Sequence, residues 1–301
     1  VLWLKGMQIV NGGQTTASLY FTKKKYPDTD LSKVFIPAKL IILNSDDSEI
    51  EENLISEISR CANSQNVVRQ ADLTANRSFH RELEQIAGSL FCPDGTGQWF
   101  YERTTGSYNV LLTREGTTPA RLRKLKERIP TSRKITKTDL AKYINAWEGK
   151  PSVVALGAQK NFIEFMTMID SWEEKGFKPD IQWFKQTVAK AIIFKQADRI
   201  VATLGTASKI HVTTHLVSIL AEKLGSRINL DKIWQNQELS SAFKTLLSQW
   251  APVVNQIMTE GSQGKLLSEW AKKSECWTQV KSGNYPMPSW TIPEIMNADS
   301  E

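Results

Sequence analysis

The sequence predicts an α+β protein: a mixed α/β N-terminal half, residues 1–112, packed on an all-helical C-terminal half, residues 113–301. Three observations carry this expectation. An apolar run stops at Asn11-Gly12-Gly13 and restarts at once with helix-compatible spacing. Further β-branched and aromatic runs occur up to about residue 112. Beyond it, every periodic segment repeats its apolar residues at the three-to-four spacing of an amphipathic helix.

Taken in order, Met7 to Val10 reads as a strand, Asn11-Gly12-Gly13 as a tight turn, and Gln14 onward as a helix that Thr15 or Thr16 is placed to cap. Residues 34–43 read as a second strand, which Pro37 directs to a sheet edge or a bulge because proline has no N–H to donate. Asp46, Asp47, Ser48 and Glu49 open a capped helix with Ile50, Leu54, Ile55 and Ile58 on one face. A polar turn at residues 63–66 separates it from a helix at 76–90. Pro93, Gly95 and Gly97 then form a loop ahead of an aromatic strand at 99–102. Helices are expected at 119–128, 139–147, 158–175, 181–204, 210–224, 230–234, 240–260 and 266–280, punctuated by Pro130 and by Gly149, Gly157, Gly176, Gly205, Gly225 and Gly261.

Composition bounds the class. In 301 residues a hydrophobic fraction of 41% supplies a substantial core. No stretch approaches the ~20 apolar residues of a membrane span, so no membrane partner is expected. Cys61, Cys92 and Cys276 lack the spacing of a zinc site or a disulfide framework, and a cytoplasmic setting is expected. The chain opens on Val1 inside an apolar run and is read as a piece of a longer protein.

Two features point to phosphate. Glycines at a strand-to-helix turn let backbone N–H groups converge on an anion, so Asn11, Gly12, Gly13, Gln14, Thr15 and Thr16 are candidate phosphate-binding residues; a plain connecting turn has the same residues. Residues 114–142 hold ten basic side chains against three acidic ones, a net +7, while the whole chain carries +6. Arginine-rich charge of this density suits a nucleic-acid backbone, an acidic partner, or a solvated helix face. Arg121, Arg123 and Lys124 are its central candidates. Just ahead, Trp99, Tyr101 and Arg103 alternate with Phe100 and Glu102, so an aromatic pair flanks an arginine on one face. Tyr101, Glu102, Arg103 and Tyr108 are therefore candidates for stacking and phosphate contact, or for a packed strand with a structural ion pair.

Other chemistry is poorly supported by the residues. His211 and His215 share a helical face but have no third ligand, and they read as surface or core histidines, with no metal. Glu148-Gly149-Lys150 falls at a helix end, where a metal-dependent nuclease needs a strand. No nucleophilic triad is present, and neither catalytic residues nor a cofactor are assigned. Eight of the ten tryptophans fall in the helical half and read as core.

Four blocks carry a family resemblance: Asn11-Gly12-Gly13-Gln14-Thr15; Asn63-Ser64-Gln65-Asn66 leading into Asp72-Leu73; Trp99 to Tyr108; and Ile135-Thr136-Lys137-Thr138-Asp139-Leu140-Ala141-Lys142. In that order they resemble the abortive infection phage resistance family. More distantly, the first block is similar to the strand-to-helix turn of ParB-like proteins, where an arginine stands at the place of Thr15. The resemblance implies a ParB-like N-terminal half in a bacterial anti-phage defence component. It places Asn63, Gln65 and Asn66 as a polar turn beside the glycine turn. Nucleic acid or a nucleotide phosphate is the implied ligand, with other defence-system proteins as an alternative in which the chain is a non-catalytic subunit of a multi-protein complex. Because Thr15 supplies one hydroxyl where the arginine has five donors, nucleic-acid cleavage by this chain alone is not expected.

Overall fold

The computed structural model describes residues 7, 9–10, 12–43, 50, 54–55, 57–58, 77–287 and 289–296. Among these the chain is mostly helical, with one two-stranded parallel sheet. It divides into two compact units, Val1–Arg81 with Arg103–Glu127, and Glu82–Glu102 with Arg128–Glu301.

In the first unit, α1 (Gly13–Lys25) starts behind Gly12, whose φ of 82° is the left-handed conformation that glycine adopts without a Cβ penalty. Ile50, Leu54, Ile55 and Ile58 are helical, as their spacing predicts, and so is Glu57. Next, α2 (Ser78–Ser89) spans the division between the units and buries the Phe79, Leu83, Ala87 stripe. Then α3 (Ser107–Glu115) enters through Gly106 at φ 85°, buries Tyr108 and packs against α1. No helix is expected here from the sequence. The helix expected at 119–128 is α4 (Pro119–Arg128), which buries Leu125 alone.

Neither expected N-terminal strand is found among the described residues. Met7, Ile9 and Val10 lie in no strand, and neither does any residue from 34 to 43. A strand is defined by its ladder, and these residues have no ladder partner among the described residues; Pro37 also lacks the N–H to start one. Val34, Phe35, Ile36, Leu40, Ile41 and Ile42 are consequently exposed.

In the second unit, β1 (Phe100–Glu102) pairs in parallel with β2 (Lys134–Thr136), Tyr101 facing Ile135. β2 corrects the expectation that everything past residue 113 is helical, since three residues are too few to show a period. A parallel pair requires a long crossover, which the chain makes through α3 and α4. α5 (Lys137–Trp147) follows β2 at once behind a capping box: Thr136 Oγ1 accepts from the Asp139 N–H at 3.1 Å, and the Asp139 carboxylate accepts from the Thr136 N–H.

Six helices follow: α6 (Pro151–Ala155), α7 (Ala158–Glu173), α8 (Ile181–Ala202), α9 (Lys209–Leu224), α10 (Leu230–Asn236) and α11 (Ser241–Gly261). At the centre, α8 packs against α5, α9, α10 and α11 and fully buries Val188, Ala191, Ile193, Ala197 and Val201. The single helix expected at 266–280 is two, α12 (Leu267–Trp270) and α13 (Ser274–Ser282). In one continuous helix Ala271 and Cys276 would point about 140° apart. The break at Lys272 and Lys273 lets both be buried.

After α13 the chain returns as a strap. Tyr285 packs on Trp250 with the rings tilted by 49° and their centroids 5.0 Å apart, and the Trp250 indole N–H donates to Pro286 O at 2.8 Å. Glu294, fully buried, accepts from the Ser240 N–H at 2.6 Å and from the Ser240 hydroxyl at 2.8 Å, at the N-terminus of α11.

Candidate nucleic-acid interface

At the glycine turn, Gly12 is the residue before α1, and Thr15 and Thr16 lie inside its first turn. Neither threonine is the cap: the Thr16 hydroxyl donates back to Gly12 O at 3.3 Å, and no side chain caps this helix. Left-handed Gly12 followed by helical Gly13 is the backbone alternation that gathers consecutive N–H groups into a concave nest. Thr15 and Thr16 are exposed beside it. Only Gly12 needs to be glycine, because a Cβ on Gly13 would meet Ile9 Cγ2 at an ordinary 4.0 Å. The Gln14 backbone is part of α1; Asn11, like Asn63, Gln65 and Asn66 of the polar turn, lies outside the described residues.

The aromatic block is split between the units. Trp99, Tyr101 and Glu102 belong to the second, and Arg103 and Tyr108 to the first. Tyr101 is 2% exposed, packed on the sheet face it shares with Ile135, and Tyr108 is 5% exposed. Neither ring presents a face on which a base can stack. Glu102 shares the opposite sheet face with Lys134, and the two form an ion pair at 2.8 Å. Around this pair sits a layer that the sequence did not reveal. Lys195 on α8 donates to Ser132 O at 2.5 Å and Lys134 O at 3.0 Å, with its ammonium 4.9 Å from the Trp99 ring centroid. Burial pushes the Lys195 amine down to about 8 against the opposing pull of Asp139, with Arg199, Lys134 and Lys142 adding to the depression. The partners are more than sixty positions apart in the chain, so no local pattern announces them.

The basic segment also divides. Its second part belongs to the second unit and is largely engaged there: Arg133 faces Asp94 at 3.6 Å, Lys134 holds Glu102, Lys142 holds Asp139 at 3.0 Å, and Lys137 is buried. The Asp139 carboxyl is held below its usual value by Lys142 and by the Thr136 and Lys142 hydrogen bonds, which outweigh its desolvation. The first part is different. On α4, Arg121, Arg123, Lys124 and Lys126 are all exposed. Arg121 donates to the Thr117 hydroxyl at 3.2 Å, Arg123 has a loose contact with Glu127 at 3.9 Å, and neither Lys124 nor Lys126 has an ion-pair partner among the described residues. With one apolar residue buried, α4 presents cations over most of its circumference.

Of the two histidines His215 is core, whereas His211 is half-buried with its Nδ1 2.6 Å from the Ser208 hydroxyl. His215 is fully buried, its Nδ1 bonds His211 O at 2.8 Å, and its Nε2 lies 3.6 Å from Cys276 Sγ. Burial pushes His215 down to about 4 and the Cys276 thiol up to about 12, so both are neutral near pH 7. Among the described residues no three histidine, cysteine or carboxylate side chains are grouped to hold a metal ion. No helix of the described residues is long and apolar enough to cross a membrane.

No curated protein and no solved structure matches the chain. The ParB-like similarity finds no support in these comparisons. A family model does match, that of the AIPR protein, over residues 1–262. Covering most of the sequence, this match agrees with the four blocks that resemble abortive infection phage resistance proteins, and the chain belongs to the AIPR family.

Proposed function

We propose that this chain serves abortive-infection defence against phage by binding a nucleic-acid backbone through α4, with the Gly12 nest as a further phosphate contact. The observation that carries the reading is the exposed cationic surface of Arg121, Arg123, Lys124 and Lys126. Lysines without carboxylate partners keep their full charge for phosphate, and such contacts position a protein without reading bases. Arg103, Thr15 and Thr16 are further sequence-derived candidates in the same unit.

A second reading, a protein-interaction subunit of a defence or restriction complex, is favoured by the exposed apolar side chains between Val34 and Ile42. Salt dependence and charge reversal separate the two. Changing Arg121, Arg123 and Lys124 to glutamate takes residues 114–142 from +7 to +1. Gel shifts at two salt concentrations are expected to show affinity falling with a log–log slope of about −0.9 per phosphate contacted on duplex DNA, and a large loss in the variant for every sequence tested. If the variant retains its nucleic-acid affinity and instead loses a co-purifying protein from the native host, the second reading holds.

A further inference from the structure

Helix α1 is unusual among the longer helices of this chain in burying none of its described side chains, with only Ala17, Leu19 and Phe21 half-covered. It contains no acidic residue, and its last turn is Lys23, Lys24 and Lys25. Of these, Lys23 is used internally, donating to Pro27 O at 2.6 Å and Thr29 O at 2.8 Å, which folds the chain back after the helix. Lys24 and Lys25 are instead paired with exposed aromatic faces. Lys24 Nζ lies 5.9 Å from the ring centroid of Tyr20, and Lys25 Nζ 5.3 Å from that of Tyr26. The two rings are 59% and 55% exposed.

Thirteen residues of this composition make a marginal helix in isolation, since there are no acid–base pairs along it and little apolar surface to dock it. An occupant of opposite charge that also covers apolar rings supplies what α1 lacks. Tyrosines serve protein interfaces too, but two solvent-facing rings each with an ammonium beside it, on a helix without a carboxylate, match unstacked bases, which offer a π-face and a phosphate in every repeat. A duplex keeps its bases stacked on one another and offers only phosphates.

We infer that the Tyr20–Tyr26 end of α1 is a stacking platform for single-stranded nucleic acid, with Lys24 and Lys25 on the phosphates between the stacked bases. This rests on the nucleic-acid reading above and assigns it a strand type. Each ring contributes stacking to any base, so the platform is tolerant of sequence.

The test uses the full chain with fluorescein-labelled oligo(dT) and oligo(dA) and a mixed-sequence duplex of equal length, titrated by anisotropy at two salt concentrations. Three proteins are compared: wild type, Tyr20→Ala/Tyr26→Ala, and Tyr20→Phe/Tyr26→Phe. Because both rings are exposed, the alanine variant is expected to keep the wild-type melt. It should lose roughly thirtyfold in affinity for both single strands, about 1 kcal/mol per stacked base, and change little for the duplex. The phenylalanine variant, which keeps the rings, should bind single strands like wild type. An alanine variant that binds single strands as wild type does, or loses single strand and duplex equally, overturns the platform while leaving the α4 reading in place. Wild type that binds neither nucleic acid overturns both.

Discussion

The buried His215 gives the second unit a defined sensitivity to acid. Its ring is held at about 4 in the folded chain against an ordinary 6.5, because the imidazolium would lose its water and His211 stands four residues before it on α9. The unfolded chain therefore binds more protons between those two values, and stability falls as pH drops through this window, being complete above about 7 and fully lost below about 4. From these two values the loss attributable to His215 is about 2 kcal/mol at pH 5 and approaches about 3 kcal/mol at its limit. His211, also depressed by burial and by Lys272, adds to the same trend, while Cys276 stays protonated throughout. Replacing His215 with leucine removes the titrating ring at the cost of its hydrogen bond to the His211 carbonyl and its weak contact with the Cys276 thiol, losses that are common to both pH values. Urea titrations at pH 7.5 and pH 5, followed by tryptophan fluorescence, suit the question because nine of the ten tryptophans lie in the second unit. Wild type should lose about 2 kcal/mol more than His215→Leu between the two pH values. Equal losses in the two proteins would show that His215 is not buried neutral and would refute the packing of α9 against α13 at Cys276.

Two further outcomes follow from the local geometry. Gly12→Ala should destabilise the start of α1 by about 1 kcal/mol, since an L side chain is strained at φ 82°, whereas Gly13→Ala should be neutral or stabilising; helix content by circular dichroism and phosphate-dependent protection of α1 amides would show the order, and a harmless Gly12→Ala would remove the nest. Glu294→Ala leaves the half-buried Ser240 N–H and hydroxyl without their acceptor and should cost about 2 kcal/mol, read as a lower urea midpoint and as early proteolytic loss of the C-terminal strap.

Helices whose ends carry local chemistry were legible from sequence. α4 matches its expected bounds because Thr117 and Thr118 precede Pro119 and Pro130 follows Arg128. α8 begins where Asp180 accepts from the Trp183 N–H at 2.7 Å, a capping contact that its residue type allows. By contrast, no helix is expected from the sequence at α6, which Pro151 opens at a position proline favours because its missing N–H is unpaired there anyway. β2 was invisible because its three residues are specified by β1, thirty-odd positions away, and not by their own pattern. The apolar residues at 34–43 show the reverse failure: the strand signal is strong, but nothing among the described residues pairs with it.

The basic segment shows why a charge count cannot by itself locate an interface. Its two parts have similar composition, five basic side chains each, yet Arg133, Lys134 and Lys142 face carboxylates and Lys137 is buried, whereas the α4 cations are displayed. The distinction turns on Asp94, Glu102 and Asp139, of which only Asp139 lies inside the segment. Charge reversal therefore means different things in the two places. At Arg121, Arg123 and Lys124 it changes the field that an incoming phosphate meets and leaves the core alone. At Lys134 it would set two carboxylates against each other beside Glu102, whose side chain is 8% exposed, and the second unit would be destabilised before any ligand was offered. A loss of binding in a Lys134 variant would thus report on folding, and only the α4 substitutions report on recognition.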